Sequence, residues 1–266
     1  MIRELERFFA AESITEVGCL SRDKWKITCP ALLERNVPSA VSAVFFLIPY
    51  YSGEKAERNI SLYAVPRDYH LYVKSLGERL LPELRAAYPN HRFALFSDHS
   101  PFDERDATAR AGLGMLGENG LLIHKKYGSC VFIAEVVSDM PLGEDTGTAI
   151  ARCPGCGACR MVCPGKEECL SAVTQKKGTL SEKEEALIRE NGTAWGCDLC
   201  QSVCPFNKGA AETPIAFFRE ERIWRLSTDL INGMDADTFA SRAYSWRKRE
   251  TILRNLSILE EKKNGN

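Results

Sequence analysis

Eight of the eleven cysteines lie in one stretch, CPGCGACRMVCPGKEEC followed after an interval by CDLCQSVCP. Cys153, Cys156 and Cys159, each two residues apart from the next, are spaced to wrap one face of an iron–sulfur cubane. Cys163 follows after three more residues, precedes Pro164 and points away. In two-cluster ferredoxins a fourth cysteine of this kind serves the other cluster, so Cys163 is assigned to a second cluster. Reciprocity returns Cys204, which also precedes a proline, to the first. Cys197 and Cys200 need one more thiolate, and Cys169 is the cysteine left in the region. Two [4Fe-4S] clusters with four ligands each imply electron transfer. A pair of structural zinc sites is the alternative, since CxxC pairs also ligate zinc. The proline-terminated C-x2-C-x2-C-x3-C run suits iron–sulfur binding better.

These cysteines need elements to hold them, and the hydrophobic pattern supplies candidates. Residues 1–150 read as alternating helix and strand, the sign of an α/β layer. After an opening helix, the run from Val41 to Ile48, ended by Pro49, predicts a buried strand. A long helix is expected over Asp68 to Ala87, with Leu71, Leu76, Leu80, Leu81 and Leu84 on or near one face. A strand at Arg92 to Ser97, a helix from Pro101 to Ala111, a glycine-rich turn and strands near Leu121 to His124 and Cys130 to Val137 follow. The cysteine module runs from Arg152 to about Lys208 and is interrupted by a helix that Ser181 caps, with Glu182, Glu184 and Glu185 in its first turn. Asp235 to Glu260 reads as helical. The expected domains are thus 1–150, catalytic; 151–210, a ferredoxin-like cluster module; and 211–266, a helical segment packing back on the core.

Composition fits a cytoplasmic enzyme. The 266 residues are 44% hydrophobic, enough for a substantial core. The cysteines are too clustered, and the chain too long, for a secreted disulfide scaffold; Cys19, Cys29 and Cys130 are expected to act as small buried hydrophobes. MIRELERFFAAE is amphipathic and charged rather than a signal peptide. VSAVFFLIP is far short of a membrane span. A formal charge of −1 gives no global attraction to nucleic acid. A local patch is offered by SRAYSWRKRETILRN, where Arg242, Arg247, Lys248, Arg249 and Arg254 interleave with Tyr244 and Trp246. A solvated helix face is the other reading of that charge run.

SLYAVPRDYH, then SDHSPFDERDATARAGLGMLGENGLLIHKKYGSCVFIAEVVSD, then the cysteine module with CLSAVTQKKG and WGCDLCQSVCPFN, together resemble the epoxyqueuosine reductase family. The likeness runs from about residue 40 to about residue 257, in the family's motif order. It implies a cobalamin-dependent iron–sulfur oxidoreductase that removes the epoxide oxygen of epoxyqueuosine in the anticodon loop of tRNA. It also implies a cobalamin-binding α/β domain beside the ferredoxin-like module, and a match of Cys169 to the family's extra cluster ligand. A low-potential donor such as ferredoxin or flavodoxin is the implied partner, and a monomer is expected. Longer members continue into a helical-repeat domain that helps to hold tRNA, so this chain is expected to be a short form.

Asp98, at the end of FALFSD, matches the family's acid and stands where open α/β sheets present functional residues. To deliver a proton near neutrality it should be raised in pKa by burial against the corrin face. Its other reading is a helix cap, but Ser100 before Pro101, with Asp103 and Glu104 in the first turn, suits that role better. The resemblance marks Arg67, Tyr69, His70, Arg105, Gly112, Gly114, Ser171 and Gln175 as cofactor neighbours. On sequence alone His70 reads as a satisfied surface or core histidine, Arg105 as a solvated charge and the glycines as a strand-entry turn. Glu118 stands where the family usually has lysine, and Pro66 where it often has glycine. Two other readings use the same residues: a corrinoid reductase of another substrate, and a two-cluster electron carrier without cobalamin. A mere carrier needs neither Asp98 nor the RDYH element.

Overall fold

The apolar run at residues 41–48 becomes the strand on which the first part of the molecule is built. In the computed structural model, which describes residues 1–165 and 168–264, the chain divides into two compact units. Both are discontinuous in sequence: Met1–Tyr50, Tyr72–Cys156 and Phe206–Ile215 form one, and Tyr51–Leu71, Gly157–Pro205 and Ala216–Asn266 the other. The three-way partition expected at 150 and 210 does not coincide with them.

The first unit contains α1 (Arg3–Ala11), β1 (Val17–Ser21), α2 (Pro30–Asn36), β2 (Ser42–Pro49), most of α3 (Tyr69–Ala87), β3 (Phe93–Phe96), α4 (Glu104–Arg110), β4 (Met115–Leu116), β5 (Leu122–Ile123), β6 (Val131–Ser138) and β7 (Ala151–Arg152). Its main sheet has the order β1-β2-β6-β3. Every pairing in it is antiparallel. The alternation of helix and strand had predicted an α/β layer; the unit is α+β instead, because strand direction is set by non-local pairing that a local pattern does not record. β2 is buried along its whole length, as befits a central strand. Phe9 of α1 lies 4.9 Å from Phe46 of β2, and Phe102 bridges Trp25 and Phe45 at 4.9 and 5.7 Å. On α3 the buried face is Tyr72, Val73, Leu76, Leu80 and Leu84, while Leu71 is exposed. A second small sheet, β5-β4-β7, carries the glycine turn. Gly114 is required there: a Cβ on it would stand 2.6 Å from the Ile123 carbonyl oxygen. Cys19 and Cys130 are buried as expected, and Cys29 is half-buried.

The expected helix from Pro101 starts later. Asp103 is the N-cap, its side chain accepting the Asp106 N–H, and Ser100 is not. Ser100 Oγ instead accepts the Phe102 N–H at 3.0 Å and donates to Glu135 at 2.5 Å. A tertiary partner has taken the hydroxyl away from the local role.

The second unit is helical: α5 (Ala158–Val162), α6 (Leu170–Thr174), α7 (Glu182–Asn191), α8 (Leu199–Ser202), α9 (Thr228–Gly233), α10 (Ala236–Ala240) and α11 (Lys248–Asn264). The C-terminal stretch expected to be helical is thus broken into α10, a 3-10 turn at Ser245–Arg247 and α11. The fully buried Trp195 donates its Nε1–H to the Tyr63 hydroxyl at 2.8 Å and sits among Ile60, Val65, Leu226, Ile231, Tyr244, Ile252 and Leu256. Leu170, Val173, Leu180, Ile188 and Ile258 make a smaller cluster. Fully buried Asn255 of α11 donates to the Thr174 and Ala194 carbonyls at 2.7 and 2.8 Å. Ser181 caps α7 in a full capping box with Glu184. Among the described residues no helix is long and apolar enough to cross a membrane.

Two substitutions test these supports by urea unfolding. Ser181→Ala should cost about 1 kcal/mol, the usual value of an N-cap. Asn255→Ala should cost more, about 3 kcal/mol, because it strands two buried carbonyl oxygens.

Candidate functional site

A thiolate ligand set has to be reduced, close together and held by backbone that cannot drift. Among the described residues none of the eight cysteines of the module is in a disulfide. In the first unit Cys153 follows β7, whose residues pair in parallel with β4, and Cys153 Sγ accepts the Glu118 N–H at 3.4 Å. Gly155, at φ 73°, gives the turn between Cys153 and Cys156. The Glu118 backbone thus meets a candidate ligand.

In the second unit Gly157 at φ 76° opens α5, which carries Cys159, and Cys163 is the residue that ends it. α5 packs against α8, which carries Cys200. Cys169 is the residue before α6. Burial pushes the Cys197 thiol up to about 11, and the charges of Asp198, Cys200 and Cys169 add to the rise. Cys169, distant in sequence, is therefore brought within electrostatic reach of Cys197, as is Cys200. Asp198, between Cys197 and Cys200, anchors the loop. Its buried carboxylate accepts Arg58 at 2.8 Å, the Leu62 N–H at 2.7 Å, Gln201 Nε2 at 3.0 Å and the Ser61 hydroxyl. Among the described residues no three His, Cys, Asp or Glu side chains converge as a mononuclear metal site. Eight cysteines in this spacing are the donor chemistry that a pair of four-iron clusters needs.

Asp98 follows β3 and is exposed, with φ 63°, a left-handed conformation that costs a non-glycine residue roughly 1–2 kcal/mol. Its backbone N–H donates to Glu104 Oε1 at 2.9 Å, which holds the turn. Because the sheet is antiparallel, the rule about strand ends in open α/β sheets does not explain its placement. The carboxyl that burial raises is Glu104, to about 7, with Asp98 and Asp103 adding to the rise and Arg105 opposing it. Behind it lies Glu135 of β6, fully buried and pushed well above the ordinary carboxylate range by burial and by Glu104. Neither glutamate was singled out from the sequence. A lone charged residue inside the apolar run VFIAEVVS was the available signal for Glu135.

The other expected cofactor neighbours fare unequally. Arg105 is exposed and donates to the Gly120 carbonyl at 2.6 Å. Gly112, at φ 84°, has open space where a side chain would stand, its nearest neighbour there being the Thr146 carbonyl oxygen at 3.9 Å. At Gly114 a Cβ would instead meet the Ile123 carbonyl oxygen at 2.6 Å. In the second unit Arg67 stacks on Phe217 at 4.4 Å and pairs with Glu221 at 3.3 Å. Tyr69 lies 4.1 Å from the His70 ring, and exposed His70 meets Asp68 through Nδ1 at 2.8 Å. Gln175 donates to Ser171 Oγ at 3.1 Å.

Three of the five cations of the basic C-terminal segment are bound to backbone carbonyls, while Lys248 is exposed. Arg242 is buried and donates to the Glu221 carbonyl at 2.6 Å. Arg249 donates to the Ile231, Met234 and Asp235 carbonyls, closing the end of α9. Arg254 donates to the Lys176 and Gly178 carbonyls at 2.8 and 2.6 Å. Tyr244 is fully buried. Exposed Trp246, with Arg247 3.8 Å over its ring, remains at the surface.

The family model described as "Epoxyqueuosine reductase QueG, DUF1730" matches residues 31–99. An epoxyqueuosine reductase of Lactococcus garvieae is 31% identical over 205 residues, 71% of this chain and 57% of the relative. The chain therefore spans little more than half the length of that protein. An epoxyqueuosine reductase of Leadbetterella byssophila is 30% identical over 240 residues, which cover 85% of this chain and 79% of that protein. The crystal structure of an epoxyqueuosine reductase with an epoxyqueuosine-modified tRNA-Tyr stem loop shares the fold, with a TM-score of 0.79 at 21% identity over 96% of this chain and 80% of the other. With identity of that level over most of a full relative, and the same fold, the chain belongs to the epoxyqueuosine reductase family.

Proposed function

We propose that this protein reduces epoxyqueuosine to queuosine in the anticodon loop of tRNA, using two [4Fe-4S] clusters and a cobalamin. The observation that carries the reading is the set of eight cysteines clustered in sequence, none in a disulfide among the described residues, in a chain of this family. Cys153, Cys156, Cys159 and Cys204 hold one cluster, and Cys163, Cys169, Cys197 and Cys200 the other, by the reciprocal logic of two-cluster ferredoxins. The electrostatic proximity of Cys169 and Cys200 to Cys197 supports the second group. Arg67, Tyr69, His70, Arg105, Gly112, Gly114, Ser171 and Gln175 are assigned as corrinoid neighbours, Gly112 and Arg105 having the surroundings that favour it most. When bound, the corrinoid supplies a low-potential nucleophilic metal and the clusters supply electrons to it.

The chain's own residues handle the proton. Deoxygenating an epoxide to an alkene consumes two electrons and two protons and releases the oxygen as water. Asp98 donates to that oxygen as it leaves. Its side chain is exposed, on a turn held by Glu104. One solved relative has its catalytic aspartate loop swung out of the active site, which supports an acid carried on a turn that can move. The tRNA substrate is supported by the stem loop bound to another relative. Since Arg242, Arg249 and Arg254 are occupied with carbonyl oxygens, phosphate contacts fall to other cations. A cytoplasmic monomer fed by a ferredoxin or flavodoxin completes the reading.

Anaerobically reconstituted protein with cobalamin and a low-potential reductant should convert epoxyqueuosine-bearing tRNA to queuosine-bearing tRNA, read by mass spectrometry of the nucleosides. Asp98→Ala should abolish that turnover while iron content and the visible cluster absorbance stay intact; an unchanged rate would reject the acid assignment. Cys169→Ala should lose roughly half of the bound iron and leave the other cluster's EPR signal in place.

A further inference from the structure

Asp198 stands at the residue before α8, where an aspartate ordinarily caps a helix, yet its side chain makes no cap. It turns inward instead, and the residue is 5% exposed. Oδ2 accepts Arg58 Nη1 at 2.8 Å and the Leu62 N–H at 2.7 Å, while Oδ1 accepts Gln201 Nε2 at 3.0 Å and the Ser61 hydroxyl. Four donors thus fill the acceptor directions of one carboxylate. Arg58 Nη1 also donates to the Ile60 carbonyl at 2.8 Å, and Nη2 meets Glu54 on the outer side at 3.2 Å. The backbone before Cys197 is pinned to the same segment. Ala194 N–H donates to the Asn59 carbonyl at 2.7 Å and Ser61 N–H to the Trp195 carbonyl at 2.8 Å. A Cβ on Gly196 would stand 2.5 Å from the Ser61 Cβ. Beyond Cys197, the Asp198 carbonyl accepts the Gln201 and Ser202 N–H groups at 2.9 and 2.8 Å, so both sides of Cys200 are tied to the same residue. Arg58, Ser61, Cys197 and Asp198 line one cavity of about 200 Å³.

A buried ion pair adds little to stability, because desolvation offsets most of its Coulomb attraction. What such a network supplies is fixed geometry, since any partner left unmade is costly. Here the geometry it fixes is that of the CDLC loop. A four-iron cluster gains one negative charge on reduction, and the charges and hydrogen bonds around its sulfurs set the potential at which it does so. A carboxylate beside its ligands opposes that added charge, and a guanidinium favours it. We propose that Asp198 and Arg58 are a positioning pair for the cluster that Cys197 and Cys200 ligate: Asp198 fixes the two cysteines, and the opposite charges of the pair set the cluster's reduction potential. This rests on the two-cluster reading given above. Neither residue is itself a ligand, and both act through the cysteines.

The test is a potentiometric EPR titration of the anaerobically reconstituted protein with titanium(III) citrate, alongside the iron content of each variant. The reduction step that Cys197→Ala removes belongs to the cluster in question, and the other step serves as an internal control. Asp198→Asn removes the negative charge and keeps the shape: the new carbonyl can accept from Arg58 and Leu62, while the new amide donates to Ser61 Oγ and Gln201 Oε1. Its step should move to higher potential. Arg58→Gln removes the positive charge and should move the same step to lower potential. Arg58→Lys restores the charge and should bring it back toward wild type. The control step should stay in place in all three variants. Opposite shifts are the signature of charge, because a merely structural role would move both variants alike. A step that is unshifted, or shifted in the same direction, in Asp198→Asn and Arg58→Gln with iron content unchanged would overturn the proposal. Asp198→Asn protein that loses roughly half its iron and keeps the control step supports the fixing of the two cysteines, and the Arg58 variants then decide the role of charge. They also decide it should Asp198→Asn fail to fold. Wild type with a single reduction step rejects the two-cluster reading and this pair with it; wild type with two steps and unshifted variants rejects the pair alone.

Discussion

A carboxyl side chain in the middle of an apolar sheet has to be answered by something, and much of the first unit is arranged around Glu135. It lies between Phe45 and Phe96 on the two strands that flank β6, where no water reaches it. Ser100 turns its hydroxyl inward to meet it, so the helix that follows begins at Asp103 rather than at Ser100. Glu104 opens that helix, and its carboxyl takes the Asp98 amide and holds a left-handed residue in place. One buried acid thus bears on a strand, a loop, a helix terminus and the backbone of the candidate catalytic residue.

The second unit uses the same kind of constraint to hold its cysteines. Cysteine loops have little regular structure of their own, and the short helices α5, α6 and α8 are too brief to be stable alone. Buried polar groups compensate. Asp198 gathers a guanidinium, a hydroxyl, a backbone amide and a side-chain amide between two cysteines of the CDLC segment. Asn255 joins α11 to the carbonyls of Thr174 and Ala194, a few residues from Cys169 and Cys197. Arg254 secures the turn after α6. Each such group is costly to leave unsatisfied, so it fixes its partners' positions more sharply than apolar packing alone would.

Legibility followed the range of the interaction. The Ser181 cap could be read because a capping box closes over four residues. The α4 start could not, because its competitor for Ser100 is 35 residues away on β6. The burial of β2 was plain in its composition, while the antiparallel order of its sheet was not, since strand direction depends on which segments meet. Arg242, Arg249 and Arg254 read as a charged surface; a charge run says nothing about the carbonyl oxygens that the fold brings to it.

By itself the sequence carried eight clustered cysteines whose spacing suggests metal ligation, the buried central strand and the family resemblance. Metal-ligand spacing, caps and hydrophobic runs are short-range properties, written in neighbouring residues. Only the tertiary structure decided the interleaving of the two units along the chain and the exposure of Asp98 on a strained turn. It also decided the coupling of Glu104 to Glu135 and the commitment of the C-terminal arginines to carbonyls. Those depend on desolvation and on partners distant in sequence, and burial is a property that no residue possesses until the chain has folded around it.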